Sequence, residues 1–175
     1  QDNTGQNLPY LLSRVPALVA TSDDGLGVGY TYFRIRGTDH TRINMTVNDV
    51  PLNDSESQTV FWVNMTDMAS SMSQVNIQRG VGTSTNGSAS FGASINMQTG
   101  NGSQSGGILA RGNGSLSGDE SHATISFNGG MYNTFREMVD AHIVLPNQWR
   151  ANARFSKVNS DGFLYRTASD LYSYY

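Results

Sequence analysis

Apolar and polar residues alternate with a period of two in several short segments of the first hundred residues. Such alternation is typical of strands that bury one face. The segments lie at 32–36, 42–48, 74–78 and 93–98. We therefore expect one compact domain over 8–99, with a mixed sheet that contains the last three segments. The side chains expected in its core are Ile43, Met45, Val47, Val75, Ile77, Ala93, Ile95 and Met97.

Short helical segments accompany these predicted strands. Asn7 is a candidate N-cap for a short helix, with Pro9 in the first turn, where proline is tolerated. Residues 17–21 are predicted to form a strand, and 66–72 a single helical turn. Strands mixed with short helical turns favour a small α+β domain.

The chain changes character at residue 100. Residues 100–121 are mostly Gly, Ser and Asn, and a short Gly-Asn-Gly-Ser motif repeats at 100–103 and 112–115. This composition is typical of a flexible connector. The sequence thus predicts a domain over 1–99, a connector over 100–121 and a third part over 122–175.

Longer alternating segments occupy the third part, at 122–128, 139–145 and 151–156. Segments of this kind with one apolar face are typical of transmembrane β-barrel strands, although a soluble antiparallel sheet is the commoner source of the pattern. We expect 139–145 and 151–155 to pair antiparallel across a tight turn at 146–148. The residues expected to face lipid are Val139, Ala141, Ile143 and Leu145, and those expected in an interfacial girdle are Trp149, Phe163, Tyr165, Tyr172, Tyr174 and Tyr175.

Composition excludes several classes of function. The 175 residues carry a net charge of −3, and only 14% are charged, so no nucleic-acid partner is predicted. The chain has no cysteine, which excludes disulfides, thiolate nucleophiles and Cys-based metal sites. It contains no apolar run long enough for a transmembrane helix. Because it begins at Gln1 without a signal peptide, we expect a processed or trimmed chain.

Recognisable catalytic motifs are missing. His40, His122 and His142 lie far apart and form no metal-binding spacing. The Asp-Asp-Gly stretch at 23–25 lacks the acidic ligands that follow in a calcium loop, so a plain turn is predicted. The sequence therefore predicts no catalytic residue, no metal and no cofactor, and hence no enzyme.

An ordered series of motifs carries a resemblance to a known family. Phe-Arg-Ile-Arg-Gly at 33–37 precedes a strand and Pro-Leu-Asn-Asp at 51–54, and Asn-Ile-Gln-Arg-Gly at 76–80 opens a Gly-rich loop before the strand at 93–97. Over 8–99 this series resembles the plug domain of TonB-dependent outer-membrane transporters, particularly sequences of the Bacteroidetes type. A weaker likeness to an early barrel segment continues over 156–170.

This resemblance implies a globular plug held inside a transmembrane β-barrel of the bacterial outer membrane. It implies an energy-transducing partner, TonB, acting through an N-terminal box that would precede Gln1, and contact with outer-membrane lipid through the barrel. The chain is then expected to be a fragment. The expected cargo is an iron chelate such as a siderophore or haem, with cobalamin or a glycan as alternatives. A secreted or surface β-rich module that binds carbohydrate or mediates adhesion is the rival interpretation.

Site residues also follow from the resemblance. Arg36 and Arg79, each followed by Gly, correspond to plug arginines that face barrel glutamates. Without those glutamates we expect both to be exposed, or paired with acids such as Asp49 or Asp67. The residues expected in cargo-facing apical loops are Leu26, Gly27, Tyr30, Asp39, His40, Thr41, Arg42, Glu56, Gln58 and Phe61. Trp62 could share that surface or lie in the core.

Overall fold

Three β-sheets and several short helical turns make up the computed structural model, which describes residues 3–81, 90–100, 121–146 and 149–175. Most of the predicted connector, the glycine-rich loop at 82–89 and residues 147–148 of the predicted turn lie outside these ranges. In chain order the elements are α1 Leu8–Leu11, β1 Leu18–Ser22, β2 Thr31–Ile35, β3 Thr38–Asp39, β4 Ile43–Val47, β5 Val50–Pro51, β6 Met72–Arg79, β7 Ala93–Thr99, β8 His122–Gly129, β9 Phe135–Val144, β10 Arg150–Ser160 and β11 Ser169–Tyr174. Short 3-10 turns occupy Leu12–Arg14, His40–Arg42, Trp62–Met65 and Met68–Ser71. Residues 3–81 and 90–100 are called the plug region below, and β8–β11 the wall sheet.

The plug region is built on a mixed sheet with the strand order β5-β4-β7-β6. β4 runs parallel to β7, and β6 runs antiparallel to it. This confirms the predicted mixed sheet. The predicted core is confirmed too, because Ile43, Met45, Ala93, Ile95 and Met97 are fully buried while Val47, Val75 and Ile77 are half-buried against them.

The two central strands differ from the prediction in one respect. We expected them to bury one face, but Asn44 and Thr46 on β4 and Ser94 on β7 are buried as well. Thr46 Oγ1 donates to Asn96 Oδ1 across the parallel pair at 2.9 Å. Strands covered on both faces lose the exposed polar side that the alternation implied.

A second sheet, β1-β2-β3, packs beside the first. Phe33 and Ile35 on β2 are buried, and Trp62 lies against Phe33 with ring centroids 6.3 Å apart. Trp62 is therefore a core residue. Arg36 and Gly37 both have positive φ angles, of 51° and 75°, and form the two-residue turn between β2 and β3, as tight hairpins require.

The predicted helix at the start of the chain is confirmed as α1, with Pro9 in its first turn. Asn7 is the N-cap residue of this helix, as predicted, but its side chain makes no capping hydrogen bond. It donates instead to the carbonyl oxygen of Gly29. The predicted helical turn within 66–72 is confirmed as the 3-10 turn Met68–Ser71, and a second 3-10 turn, Trp62–Met65, precedes it.

The wall sheet is antiparallel, and its strands follow chain order. β9 pairs with β10 so that Val139 lies opposite Phe155 and Ile143 opposite Ala151. The predicted pairing of 139–145 with 151–155 is therefore confirmed. Beyond the last paired residues, Val144 and Arg150, the Leu145 amide donates to the Trp149 carbonyl at 2.8 Å.

Burial in the wall sheet is the reverse of that in a soluble sheet. Its apolar face is exposed, and the large side chains on this face are Ile125, Phe127, Phe135, Val139, Ile143, Phe155, Tyr172 and Tyr174. Its polar face is turned to the plug region and buries Arg136, His142, Arg154, Ser156 and Ser160. A soluble antiparallel sheet packs its apolar face on a core, whereas membrane barrels turn it outward. In the parts of the chain that are described, no helix is both long and apolar enough to cross a membrane.

Candidate functional site: a buried charge cluster between the plug region and the wall sheet

The site begins with an unusual backbone at Asp67. This residue lies between the turns Trp62–Met65 and Met68–Ser71 and adopts a left-handed conformation, with φ 53° and ψ 22°. Aspartate tolerates this region better than most residues. Asp67 is fully buried, and its carboxylate is directed at the polar face of the wall sheet.

Two arginines from neighbouring wall strands meet this carboxylate. Arg136 on β9 donates from Nη2 to Oδ2 of Asp67 at 2.8 Å, and Arg154 on β10 donates from Nη1 to the same oxygen at 3.1 Å. Ser156 Oγ donates to it at 2.7 Å. The two guanidinium side chains are only 5% and 4% exposed. Charge-assisted bonds in such a dry setting are among the stronger polar contacts in proteins.

The other oxygen of Asp67 is satisfied from the plug region. Asn3 Nδ2 donates to Oδ1 at 2.9 Å, and Ser70 Oγ donates to it at 2.7 Å. Asp140 stands directly opposite Arg154 in the β9–β10 register and adds a second carboxylate to the charge balance. Two arginines and two aspartates therefore share this interface. Because an unpaired buried charge is strongly unfavourable, this pairing fixes how the plug region sits on the wall sheet.

A second junction joins the loop 24–29 to the wall sheet. The Phe163 and Leu164 amides, between β10 and β11, donate to the Asp24 carbonyl at 2.8 and 3.3 Å. The buried Asp24 carboxylate accepts from the amides of Leu26, Gly27 and Val28 and so folds the loop from within. The predicted plain turn at 23–25 is therefore part of a larger, internally bonded loop.

The predicted apical residues separate into groups. Tyr30, His40 and Phe61 come together, and with Tyr32 they line a shallow groove of about 60 Å³. The rings of Tyr32 and His40 lie 5.8 Å apart. Tyr32 was not predicted, because its place on the strand β2 suggested only an exposed strand residue. Burial and the nearby Asp23 carboxylate raise the pKa of Tyr32 above its usual value.

The remaining apical candidates lie away from this groove. Gly27 is buried beneath Tyr10, and Leu26 is half-buried. Asp39 accepts from the Thr41 amide at 3.1 Å, and this bond lowers the pKa of the Asp39 carboxyl. The other members, Arg42, Glu56 and Gln58, do not line the groove. A role for any of these residues in cargo contact stays a prediction.

Arg36 and Arg79 come to the same edge of the plug region. Both are exposed, and Arg79 Nη1 donates to the Pro16 carbonyl at 3.2 Å. A Cβ on Gly80 would lie 3.8 Å from Arg36 Nη1. Among the described residues neither arginine forms an ion pair with Asp49 or Asp67, since Asp67 is taken by the wall arginines.

Sequence reasoning missed the two arginines of the charge cluster and named Asp67 only as a candidate partner of Arg36 or Arg79. One signal was present in the alternation. Arg154 lies on the polar face of a strand whose other face is apolar, and Arg136 occupies the same kind of position on β9. Charged residues on the inward face of a membrane strand need a partner. No comparable signal identified Asp67.

Comparison with protein families gave a match to the TonB-dependent Receptor Plug Domain over residues 1–94. The chain belongs to this family. The plug region of this TonB-dependent receptor thus has the expected mixed sheet, and its location is the bacterial outer membrane. The Bacteroidetes-type assignment stays a prediction.

Two solved structures share the fold. The pyoverdine outer membrane receptor FpvA from Pseudomonas aeruginosa PAO1, bound to pyoverdine, aligns with a TM-score of 0.62 at 16% identity, over 91% of this chain and 20% of that one. The copper transporter OprC aligns with a TM-score of 0.60 at 13% identity, over 95% of this chain and 24% of that one. The chain thus spans about a fifth to a quarter of these receptors. Comparison with curated proteins found no significant match.

Proposed function

We propose that this chain is the plug, with the first barrel strands, of an active outer-membrane transporter that imports a scarce nutrient complex with energy delivered by TonB. The observation that carries the proposal is the inverted wall sheet, which exposes an apolar face suited to lipid and binds the plug region through the Asp67 cluster. A secreted binding module has no use for such a face, because it would be left in water.

The cargo we propose is an iron chelate, a siderophore or haem. One structural neighbour is a receptor for the siderophore pyoverdine, which supports this choice. The other neighbour is a copper transporter, which makes copper the alternative cargo. The groove of Tyr30, Tyr32, His40 and Phe61 offers aromatic surfaces against which a flat chelate would pack. The plug carries out no chemistry on the cargo.

Arg36 and Arg79 are proposed to face carboxylates of barrel strands that lie outside this chain. Their exposure and their shared edge support the role, since two adjacent guanidiniums would bind acidic partners in bidentate fashion. TonB is proposed to act through residues on the N-terminal side of Gln1.

Growth of a strain that lacks the full-length gene tests the transport function. On defined media with a siderophore, haem, cobalamin or a glycan as the limiting source, we expect a growth defect on an iron chelate. Restoration by the intact gene, and loss of that restoration when TonB is removed, are also expected. Normal growth on all of these sources, or restoration without TonB, would contradict the proposal.

A further inference from the structure

Residues 3–7, at the start of the plug region, lie against the wall sheet and touch both junctions between it and the rest of the plug region. At one end Asn3 Nδ2 donates to Asp67 Oδ1 at 2.9 Å and to Ser70 Oγ at 3.3 Å. Asn3 thus supplies one of the donors that satisfy the buried carboxylate at the centre of the charge cluster.

At its other end the segment is bound to the loop 24–29. The Asn7 amide donates to the Gly27 carbonyl at 2.7 Å, and Asn7 Nδ2 donates to the Gly29 carbonyl at 2.5 Å. Asn7 is 1% exposed. The same loop binds the Phe163 and Leu164 amides of the wall through Asp24. One short segment therefore contacts both junctions.

The middle of the segment fits closely against the wall sheet. Gly5 has a φ of +102°, and a Cβ at this position would lie 2.5 Å from Val158 Cγ1. The Gly5 amide donates to Asn3 Oδ1 at 2.9 Å, which stabilises the bend between the two ends. A Cβ on Gly130, in the β8–β9 turn, would lie 3.6 Å from Thr4 Cβ. The segment is therefore packed against the wall sheet between its two hydrogen-bonded ends.

We propose that residues 3–7 form a clasp that couples the charge cluster to the loop 24–29, so that displacing the clasp loosens both plug–wall junctions together. The proposal rests on the proposed transport function, in which TonB acts at the N-terminal end of the plug. The clasp is then the described segment nearest to the point where TonB applies force. Asn3 and Asn7 are positioning residues in this scheme. Neither residue is charged. Asn3 orients the Asp67 carboxylate, and Asn7 holds the loop 24–29, and these two groups contact the wall sheet.

Amide hydrogen exchange in the full-length receptor, without TonB and without cargo, tests the coupling. Asn3→Asp and Asn7→Asp keep the size of each side chain but place an oxygen where a donor stood, against Asp67 Oδ1 and the Gly29 carbonyl respectively. Asn64→Asp is the matched control, because Asn64 is exposed on the turn Trp62–Met65. The amides to follow are those of Ser70, bonded to the Asp67 carbonyl, and of Phe163, bonded to the Asp24 carbonyl.

Each substitution should speed exchange at its own junction by about tenfold, the loss expected for a buried hydrogen bond with a charged or tightly held partner. It should also speed exchange at the distant junction by about threefold or more, the effect of coupled sites. Asn64→Asp should change neither amide. Exchange that rises only at the substituted end, or at neither end, would overturn the clasp.

Two further measurements keep the outcome decisive. If either aspartate variant fails to assemble, Asn3→Ala or Asn7→Ala removes the donor without adding charge and must give the same two-ended response. Uptake of an iron–siderophore complex is measured in parallel. Absence of uptake by the unsubstituted receptor, together with two-ended exchange in the variants, would leave the clasp intact and count against the proposed transport function, whereas normal uptake by the unsubstituted receptor with unchanged exchange in the variants would refute the clasp alone.

Discussion

Arg154 on β10 binds Asp67 twice, through the backbone and through the side chain. Its Nη1 donates to the Asp67 carbonyl oxygen at 3.0 Å and to Oδ2 at 3.1 Å, although 87 residues separate the two. The first bond stabilises the left-handed backbone at Asp67, and the second neutralises its carboxylate. Each contact thus keeps the other in place, and together they join the plug to β10 of the wall sheet.

Removing the charge of Asp67 should loosen this junction. Asp67→Asn keeps the shape and tolerates the left-handed backbone, but it leaves Arg136 and Arg154 without their shared anion. Breaking a buried pair in this way typically costs about 3–5 kcal/mol. We expect a loss of that size in the free energy of unfolding of the full-length receptor, measured by denaturant titration in detergent.

Asp49→Asn is the control for this substitution. Asp49 has a similar left-handed backbone, with φ 66°, but it is exposed in the β4–β5 turn. Its substitution should change the unfolding free energy by less than about 0.5 kcal/mol. Equal effects of the two substitutions would show that the backbone, and not the buried charge, matters at Asp67.

Close packing of residue 5 against the wall makes a separate prediction. Gly5→Ala introduces a methyl group 2.5 Å from Val158 Cγ1, whereas Gly37→Ala, at a comparable positive φ of 75°, meets nothing within 4 Å. Both variants carry the cost of a left-handed alanine, about 1 kcal/mol. Gly5→Ala should lose a further 1–3 kcal/mol or so through overpacking. Matching losses of stability in thermal unfolding would mean that the segment is free to move away from Val158.

Acid should open the loop that follows β5. Asp54 accepts hydrogen bonds from the Ser57 and Glu56 amides, and these bonds lower the pKa of its carboxyl. A depressed folded-state pKa contributes stability that is fully present above the unfolded value, about 3.9, and is lost as pH falls through the folded value. Hydrogen exchange at the Ser57 amide should therefore rise steeply in that acidic range beyond its intrinsic pH dependence. In Asp54→Asn that additional change should vanish, and its persistence would assign the transition to another group.

Substitution of Arg36 tests its proposed contact with carboxylates of later barrel strands. In the intact receptor Arg36→Ala should impair uptake or plug retention more than affinity for cargo, because its partner is a barrel carboxylate and not the ligand. Arg34→Ala, at an exposed site on the same hairpin, is the control. Cargo affinity and uptake rate are measured side by side. Collapsed affinity with normal uptake per bound cargo would make Arg36 a ligand contact.

Local pattern predicted much of the fold, since alternation correctly placed Ile43 and Ile95 in the core and Val139 on an exposed face. It also put Arg154 on the polar side of its strand. It did not predict that β4 and β7 are covered on both faces, because this depends on how distant segments pack. For the same reason the sequence did not predict the partner of the Asn7 side chain, because only the folded loop supplies the Gly29 carbonyl that it binds.

The Asp67 cluster was beyond sequence reasoning because its members come from three distant segments. Asp67 stands in the segment 66–72, for which the sequence predicted only a short helical turn. Its burial follows only when the wall sheet docks on the plug, where Arg136 and Arg154 bind its carboxylate. Arg36 and Arg79 stood out because each ends a strand before a glycine, a signal that Asp67 lacks.

A double-mutant cycle between Asp67 and Arg154 in the full-length receptor tests the central claim, that a buried charge pair joins plug and wall. Asp67→Asn and Arg154→Met are made singly and together, and the free energies of unfolding are compared. A parallel cycle pairs Asp67→Asn with Arg166→Met, at an exposed loop position, and gives the coupling energy expected for residues that do not interact. We predict a coupling energy of about 1–3 kcal/mol for Asp67 with Arg154, and additivity within about 0.5 kcal/mol for Asp67 with Arg166. Additive losses in both cycles would show that Asp67 and Arg154 do not hold the plug to the wall.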